Sequence, residues 1–223
     1  MKRVHLLAVE LVIVIALTSV AAYYVLNSQT QSDPIRVVCA GDSLTQSTEY
    51  PYDLWNLLGT QTYSLRNYGA GSTTVLLTSE TPYMNTTVFQ DALQFEPNIV
   101  IIMLGTNDAQ PSLIPYNATF VEDYVTLIQA FQSLPTDPEI WIVLPPPIAG
   151  DDGGKMDPEY FQSSIIFDIK QAANITGSPT IDVNSVMQGH YPEYYKEDDV
   201  VHINSEGSKV IANTIYAAIM SGK

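Results

Sequence analysis

The sequence predicts an α/β domain in three layers, with helices on both faces of a mainly five-stranded parallel sheet. Three observations point to it. Short apolar, β-rich runs alternate with amphipathic stretches along the chain. One of those runs, Ile99 to Leu104, is apolar at every position, which implies burial on both faces. The stretches between runs repeat their apolar residues every three or four positions, the signature of helices with one buried stripe. Alternating strand and helix with right-handed crossovers gives a doubly wound parallel sheet, and such sheets place their functional loops at the carboxyl ends of the strands.

Taken in chain order, residues 1–26 stand apart. Lys2 and Arg3 lead into an apolar run from Leu6 to Leu26, interrupted by Glu10, Thr18 and Ser19. The run is just long enough for a bilayer-spanning helix, with Tyr23 and Tyr24 where interfacial aromatics sit. Ser19-Val20-Ala21 has the small residues that a signal peptidase needs, and Glu10 weakens a permanent span. Residues 1–26 are therefore expected to be a signal peptide or an N-terminal signal anchor attached to the membrane through residues 6–26. Either outcome places the rest of the chain outside the cytoplasm, because the positive charges precede the apolar run. Residues 27–34 (NSQTQSDP) are polar, Pro-terminated and without periodicity, as in a linker.

The domain is expected over residues 35–221. Its strand candidates are Ile35 to Cys39, Tyr63 to Arg66, Ile99 to Leu104, Ile140 to Leu144 and Thr180 to Val183. A helix is expected from the end of the first strand through Leu58. Phe120, Tyr124, Leu127, Ile128 and Phe131 mark a second, with Thr119 and Glu122 in capping-box spacing. Phe161, Ile165, Ile169 and Ala172 mark another, and Ile211, Ile215, Ala218 and Ile219 a final helix after Ser205. There is no internal repeat and no low-complexity tract.

Nine Lys plus Arg against 24 Asp plus Glu give a formal charge of -15. A chain so acidic is not expected to bind nucleic acid, which needs clustered cations, and neutral small molecules suit it better than strongly anionic ones. Cys39 is the only cysteine, so no intramolecular disulfide forms, and its apolar setting points to the core. Asn85, Asn117 and Asn174 head glycosylation sequons. No metal or cofactor is expected: Asp42 and Asp108 lack companions at ligand spacing. Trp55 and Trp141 fit the core better than a ligand pocket, as do the tyrosines near Tyr191 to Tyr195.

Three short motifs carry the chemistry. Gly41-Asp42-Ser43-Leu44 follows the first strand directly. A serine at such a turn is presented at the sheet's carboxyl edge beside the free amides of a helix N-terminus, although a serine there is also an ordinary helix cap. Gly105-Thr106-Asn107-Asp108 follows the third strand, and Asp199-Val200-Val201-His202 lies near the end of the chain. Ester hydrolysis through an acyl-serine needs a base for the hydroxyl and a third group to fix the tautomer of that base. His202 and Asp199, three residues apart, suit those tasks with Ser43 as nucleophile. His190 competes as the base, but its surroundings, Gly189 to Tyr195, offer no acid at comparable spacing by this reading. The long acidic, glycine-rich connection from Ile148 to Met156, after Pro145-Pro146-Pro147, falls on the same face of the sheet.

With these motifs in order, the sequence resembles the SGNH (GDSL-type) serine hydrolase family from residue 35 to about 220. The resemblance implies a flavodoxin-like fold, a catalytic triad of Ser43, Asp199 and His202, and an oxyanion hole built from the Asn107 amide, the Ser43 backbone N–H and a glycine N–H after the second strand. Here the sequence departs from the family. Counted from Asn67 and Thr74, the glycine position holds Ser72, with Gly71 just before it, so both are candidates for that amide. Asn67 itself reads as a structural Asx residue. Gly69, Gly71, Pro82-Tyr83 and LGTND further resemble the carbohydrate acetylesterase-like members. The expectation is an extracytoplasmic carboxylic ester hydrolase acting on an O-acetylated carbohydrate. A lysophospholipase or thioesterase, an O-acyltransferase, and a non-catalytic surface binding module are the alternatives.

Overall fold

The computed structural model describes residues 13–23 and 33–222. The chain divides between Pro34 and Ile35 into two units. In the first, residues 13–23 form a helix, α1, with side chains exposed. Among the described residues no helix is long and apolar enough to cross a membrane. The span expected over residues 6–26 lies in part outside the described residues.

The second unit runs β1 (Ile35–Gly41), α2 (Ser43–Gln46), α3 (Tyr50–Leu58), β2 (Tyr63–Gly69), α4 (Thr87–Gln94), β3 (Ile99–Met103), α5 (Phe120–Gln132), β4 (Glu139–Leu144), α6 (Pro158–Tyr160), a π turn (Phe161–Ile165), α7 (Ile166–Thr176), β5 (Thr180–Asp182), α8 (Val183–Met187) and α9 (Ser205–Ser221). All strand pairs are parallel, in the order β2-β1-β3-β4-β5. The five strands predicted from sequence are those observed, with ends shifted by up to three residues.

Side-chain alternation along the strands divides the core. Val38, Ala40, Val100, Ile102, Ile140 and Ile142 face one layer, where Phe89 of α4, Phe131 of α5 and Ile169 of α7 cover them. Val37, Cys39, Ile101, Met103, Trp141 and Val143 face the other, closed by Leu54 of α3, Met187 of α8 and Ile211, Ile215 and Ile219 of α9. Both faces are thus dry, which is why β3 carries no polar position. Both tryptophans pack in the second layer, Trp55 donating from Nε1 to the Tyr63 carbonyl at 2.6 Å.

Three local expectations are corrected. The helix after β1 is two helices, because Pro51 at the start of α3 has no N–H with which to continue the α2 ladder. The Thr119–Glu122 capping box does not form: a 3-10 turn over Ile114–Thr119 runs straight into α5, and the Thr119 hydroxyl donates instead to Asp123 Oδ2 at 3.0 Å. Asn117 is only 7 % exposed and its Nδ2 donates to the Asp108 carbonyl and to Tyr160 Oη, so of the three sequons it is structural, whereas Asn85 and Asn174 are exposed.

Consecutive connections leave from opposite faces at the step from β1 to β3. The α3 crossover from β1 to β2 covers the second layer, while α4, between β2 and β3, covers the first. Loops that diverge in this way open a crevice at the carboxyl ends of β1 and β3. Gly41 keeps that crevice tight: a Cβ there would stand 2.1 Å from Thr45 Oγ1 and 2.7 Å from the Met103 carbonyl. We expect Gly41→Ala to destabilise the domain by about 1–3 kcal/mol, measured as a lower denaturant midpoint at unchanged m-value.

Candidate active site

Ser43 is the first residue of α2, directly after the β1 terminus. Asp42 caps that helix, its Oδ1 accepting from Leu44 N at 2.8 Å. The serine hydroxyl is therefore free of capping and points to His202, with Oγ to Nε2 at 3.1 Å. The His202 ring in turn meets Asp199 Oδ2 through Nδ1 at 2.7 Å. With the proton on Nδ1 donated to the carboxylate, Nε2 is left to accept from Ser43.

His202 and Asp199 sit in a loop whose two ends are fixed. Tyr195 and Ile203, both buried, pair across it in an antiparallel bridge, and Lys196 N donates to the His202 carbonyl at 2.9 Å. Asn204 then caps α9, its Oδ1 accepting from Gly207 N. Within the loop, Asp199 Oδ1 accepts from the amides of Val201 and His202, each at 2.9 Å, so Oδ2 is turned to the ring. Partial burial alone would raise the Asp199 carboxyl, but the His202 and Val201 amides and the His202 ring outweigh it and hold it below the ordinary Asp value. A carboxylate that stays ionised keeps the imidazole in one tautomer.

Asn107 follows Gly105, whose φ of 117° only glycine adopts readily, and it begins a 3-10 turn over Asn107–Ala109. One N–H of its side-chain amide goes to the Thr73 carbonyl at 2.9 Å, and the residue lines the same pocket as Ser43 and His202. Ser72 lines that pocket as well. It takes a left-handed φ of 62°, and the backbone amides of Ser72 and Ser43 have no partner among the described residues. Gly71 is corrected: its N–H donates to Gln46 Oε1 at 3.0 Å, so that amide is not free to serve in the pocket. The structure thus brings together Ser43, Ser72, Asn107, Asp199 and His202, and engages the Gly71 amide elsewhere. Asn67 is structural, bonding the Thr45 carbonyl through Nδ2 and Gly69 N through Oδ1.

His190 lies elsewhere. Its Nδ1 pairs with exposed Glu193 Oε2 at 3.0 Å and its ring stacks on the partly buried Tyr194. Glu193 is an acid at the same spacing as Asp199 to His202, so the statement that His190 lacks one is corrected. What separates the two histidines is access to a nucleophile.

Sequence reasoning missed the supports. Thr73 aims Asn107, Gln46 withdraws Gly71, and Asp108 accepts from the amides of Val75 and Leu76, fixing the loop that carries Ser72. The signal for Asp108 was its place in the LGTND motif. The acidic connection after β4 does reach the site: Ala149 N donates to the Val200 carbonyl at 2.8 Å, and Asp151, Asp152, Lys155 and Met156 line the pocket of about 520 Å³.

Similarity to known proteins agrees with this geometry. Residues 39–210 match the model of the GDSL-like Lipase/Acylhydrolase family. The chain belongs to that family. It is 30 % identical over 214 residues to a protein of Xylanibacter ruminicola named acetylxylan esterase, covering 85 % of this chain and 44 % of that one. The chain thus spans less than half the length of that relative. Among solved structures, a putative arylesterase from Agrobacterium tumefaciens superposes with a TM-score of 0.67 at 23 % identity, over 83 % of this chain and 98 % of that one. A carbohydrate acetylesterase from Sinorhizobium meliloti gives 0.61 at 21 % identity, over 84 % and 99 %. The hydrolase domain therefore has the SGNH fold that its motifs implied.

Two properties of this site can be tested by stability alone. Burial pushes the Asp42 carboxyl up from 3.8 to about 7, opposed by the Leu44 amide and helped by nearby Asp108. A carboxyl raised in the native state binds its proton more tightly there, so its contribution is greatest below about pH 4 and is lost as pH rises toward 7. We expect Asp42→Asn, which cannot ionise, to gain stability relative to wild type across that window and to level off above it, in denaturant titrations at several pH values. Ser72→Gly relieves the left-handed serine and should raise stability by about 0.5–1 kcal/mol without moving the neighbouring loops, read from the same titrations.

Proposed function

We propose that the hydrolase domain cleaves carboxylic esters through an acyl-serine intermediate, outside the cytoplasm, with O-acetylated glycans of the acetylated xylan type as substrate. The observation that carries the reading is the chain Ser43 Oγ, His202 Nε2, His202 Nδ1, Asp199 Oδ2, at 3.1 and 2.7 Å, in a pocket also lined by Ser72, whose backbone amide, like that of Ser43, is unbonded among the described residues.

In this mechanism Ser43 Oγ attacks the ester carbonyl carbon while its proton passes to His202 Nε2. The carbonyl oxygen becomes an oxyanion that accepts from Ser43 N, Ser72 N and the remaining N–H of Asn107 Nδ2. Collapse breaks the bond to the alcohol oxygen, and His202 returns the proton to the departing sugar hydroxyl. Water, deprotonated by His202, then attacks the acyl-serine and releases the acid and the free serine. Asp199 stabilises the imidazolium at both stages.

The pocket favours a small acyl group. Around Ser43 its walls are Asp151, Asp152, Asp198 and Lys155, with Met156, Val200 and Val201 as the apolar members, which offers no dry tunnel for a long chain. The acidic rim also suits a neutral substrate. The Xylanibacter relative's name supports acetylxylan as the first choice. Lys2 and Arg3 before the apolar run support export, with attachment to the membrane through residues 6–26 where that segment is retained.

Release of p-nitrophenol from acetyl, butyryl and octanoyl esters tests the reading. Turnover should fall with acyl length and disappear in Ser43→Ala; octanoyl preference would move the substrate to lipids, and no turnover by folded wild type would overturn ester hydrolysis. Asn107→Ala should lower kcat by roughly 10²–10³-fold with little change in KM.

A further inference from the structure

Beside the catalytic pocket lies a second cleft, of about 650 Å³. That is within the roughly 300–1,000 Å³ of small-molecule sites. One wall is the connection after β2 and the other the segment after Asn107, so the two loops that supply oxyanion donors also build this cleft. The link is by hydrogen bond as well as by sequence. Thr81, in the first wall, donates its hydroxyl to the Ser72 carbonyl at 2.8 Å, and Gln110, in the second, donates its N–H to the Asn107 carbonyl at 3.3 Å.

Its surface has a particular composition. Tyr116 stands 62 % exposed with Leu113 next to it, giving an open aromatic face. Around that face are the Thr78 and Ser112 hydroxyls, the Gln110 amide and the Glu80 carboxylate, none of which has a protein partner among the described residues. No lysine or arginine lines the cleft. Unused donors and acceptors ringed about an exposed aromatic plane match a neutral polyol with an apolar CH face, and the lack of cations disfavours phosphate or carboxylate ligands.

We propose that this cleft is a sugar subsite that holds the glycan flanking the acetylated residue, with Tyr116 as the stacking platform. The proposal rests on the ester hydrolase reading and names how its alcohol is recognised. A sugar seated there spans the two walls while the acyl group lies at Ser43, so glycan binding is spent on positioning the ester.

The test compares wild type with Tyr116→Ala, Tyr116→Trp and Gln110→Ala on two substrates, p-nitrophenyl acetate and acetylated xylo-oligosaccharide. Tyr116 is exposed, so its variants should fold as wild type does. Tyr116→Ala should raise KM for the oligosaccharide by about tenfold or more, the loss of one stacking contact, and leave p-nitrophenyl acetate turnover unchanged. Tyr116→Trp should retain oligosaccharide KM, and Gln110→Ala should raise it. Equal turnover of the oligosaccharide by wild type and Tyr116→Ala, or equal losses on both substrates, would overturn the subsite. Calorimetric titration of deacetylated xylo-oligosaccharide into wild type and Tyr116→Ala needs no turnover. It separates the two readings: binding lost in Tyr116→Ala supports the subsite even if no ester is cleaved, and no binding by wild type refutes it even if p-nitrophenyl acetate is.

Discussion

Everything at the site depends on β1 and β3 being buried on both faces and side by side. Dry packing on each face leaves the strand ends as the first places where polar groups can meet solvent. Because the connection after β1 goes to one layer and the return to β3 comes from the other, the two strand ends part, and their loops face each other across a crevice. Ser43 and Asn107 are the residues that each strand delivers there. The third participant comes from far along the chain, yet it obeys the same constraint: Tyr195 and Ile203 are buried at the second layer, and the loop between them has only one direction in which to project.

The acids divide according to what surrounds them. Asp42 and Asp108 are fully buried below the site, where burial pushes their carboxyls up to about 7 and about 6. Their work is structural: one caps α2, the other holds the Val75 and Leu76 amides. Asp199 is part-exposed, receives two amides and the imidazole, and stays below the ordinary value. Burial, and the partner each one bonds, thus separate the roles of these aspartates.

Legibility in the sequence followed the physics of each feature. The inner strands β1, β3 and β4 could be read because two-sided burial demands apolar runs, and α5, α7 and α9 because one-sided burial demands a 3.6-residue repeat. The three motifs could be read because they sit next to those strands or helices and carry residue types that the chemistry requires. The break between α2 and α3 was present in Pro51 but outweighed by the apolar pattern through Leu58. The capping at Thr119 failed because a 3-10 turn, which leaves little periodic trace, takes over the helix start. His190 and His202 each have an acid three residues away, so spacing alone did not choose between them; only the fold, by bringing Ser43 to one of them, does.

The oxyanion loop is where sequence and geometry part most instructively. A glycine is the natural reading of a backbone donor in a tight turn, and Gly71 stood nearest the expected position. Yet a donor has to be both aimed and unused, and the Gln46 side chain occupies the Gly71 amide. The Ser72 amide is unused, and the residue lines the pocket with a left-handed backbone. That conformation is held from outside the residue, by Thr81 on its carbonyl and by Asp108 on the amides that follow. Because the group proposed to hold the oxyanion is a main-chain N–H, a change of side chain at this position is expected to leave it in place so long as those two restraints remain. The departure from glycine therefore moves the requirement from the residue to its neighbours, and places part of the site's specification in Thr81 and Asp108.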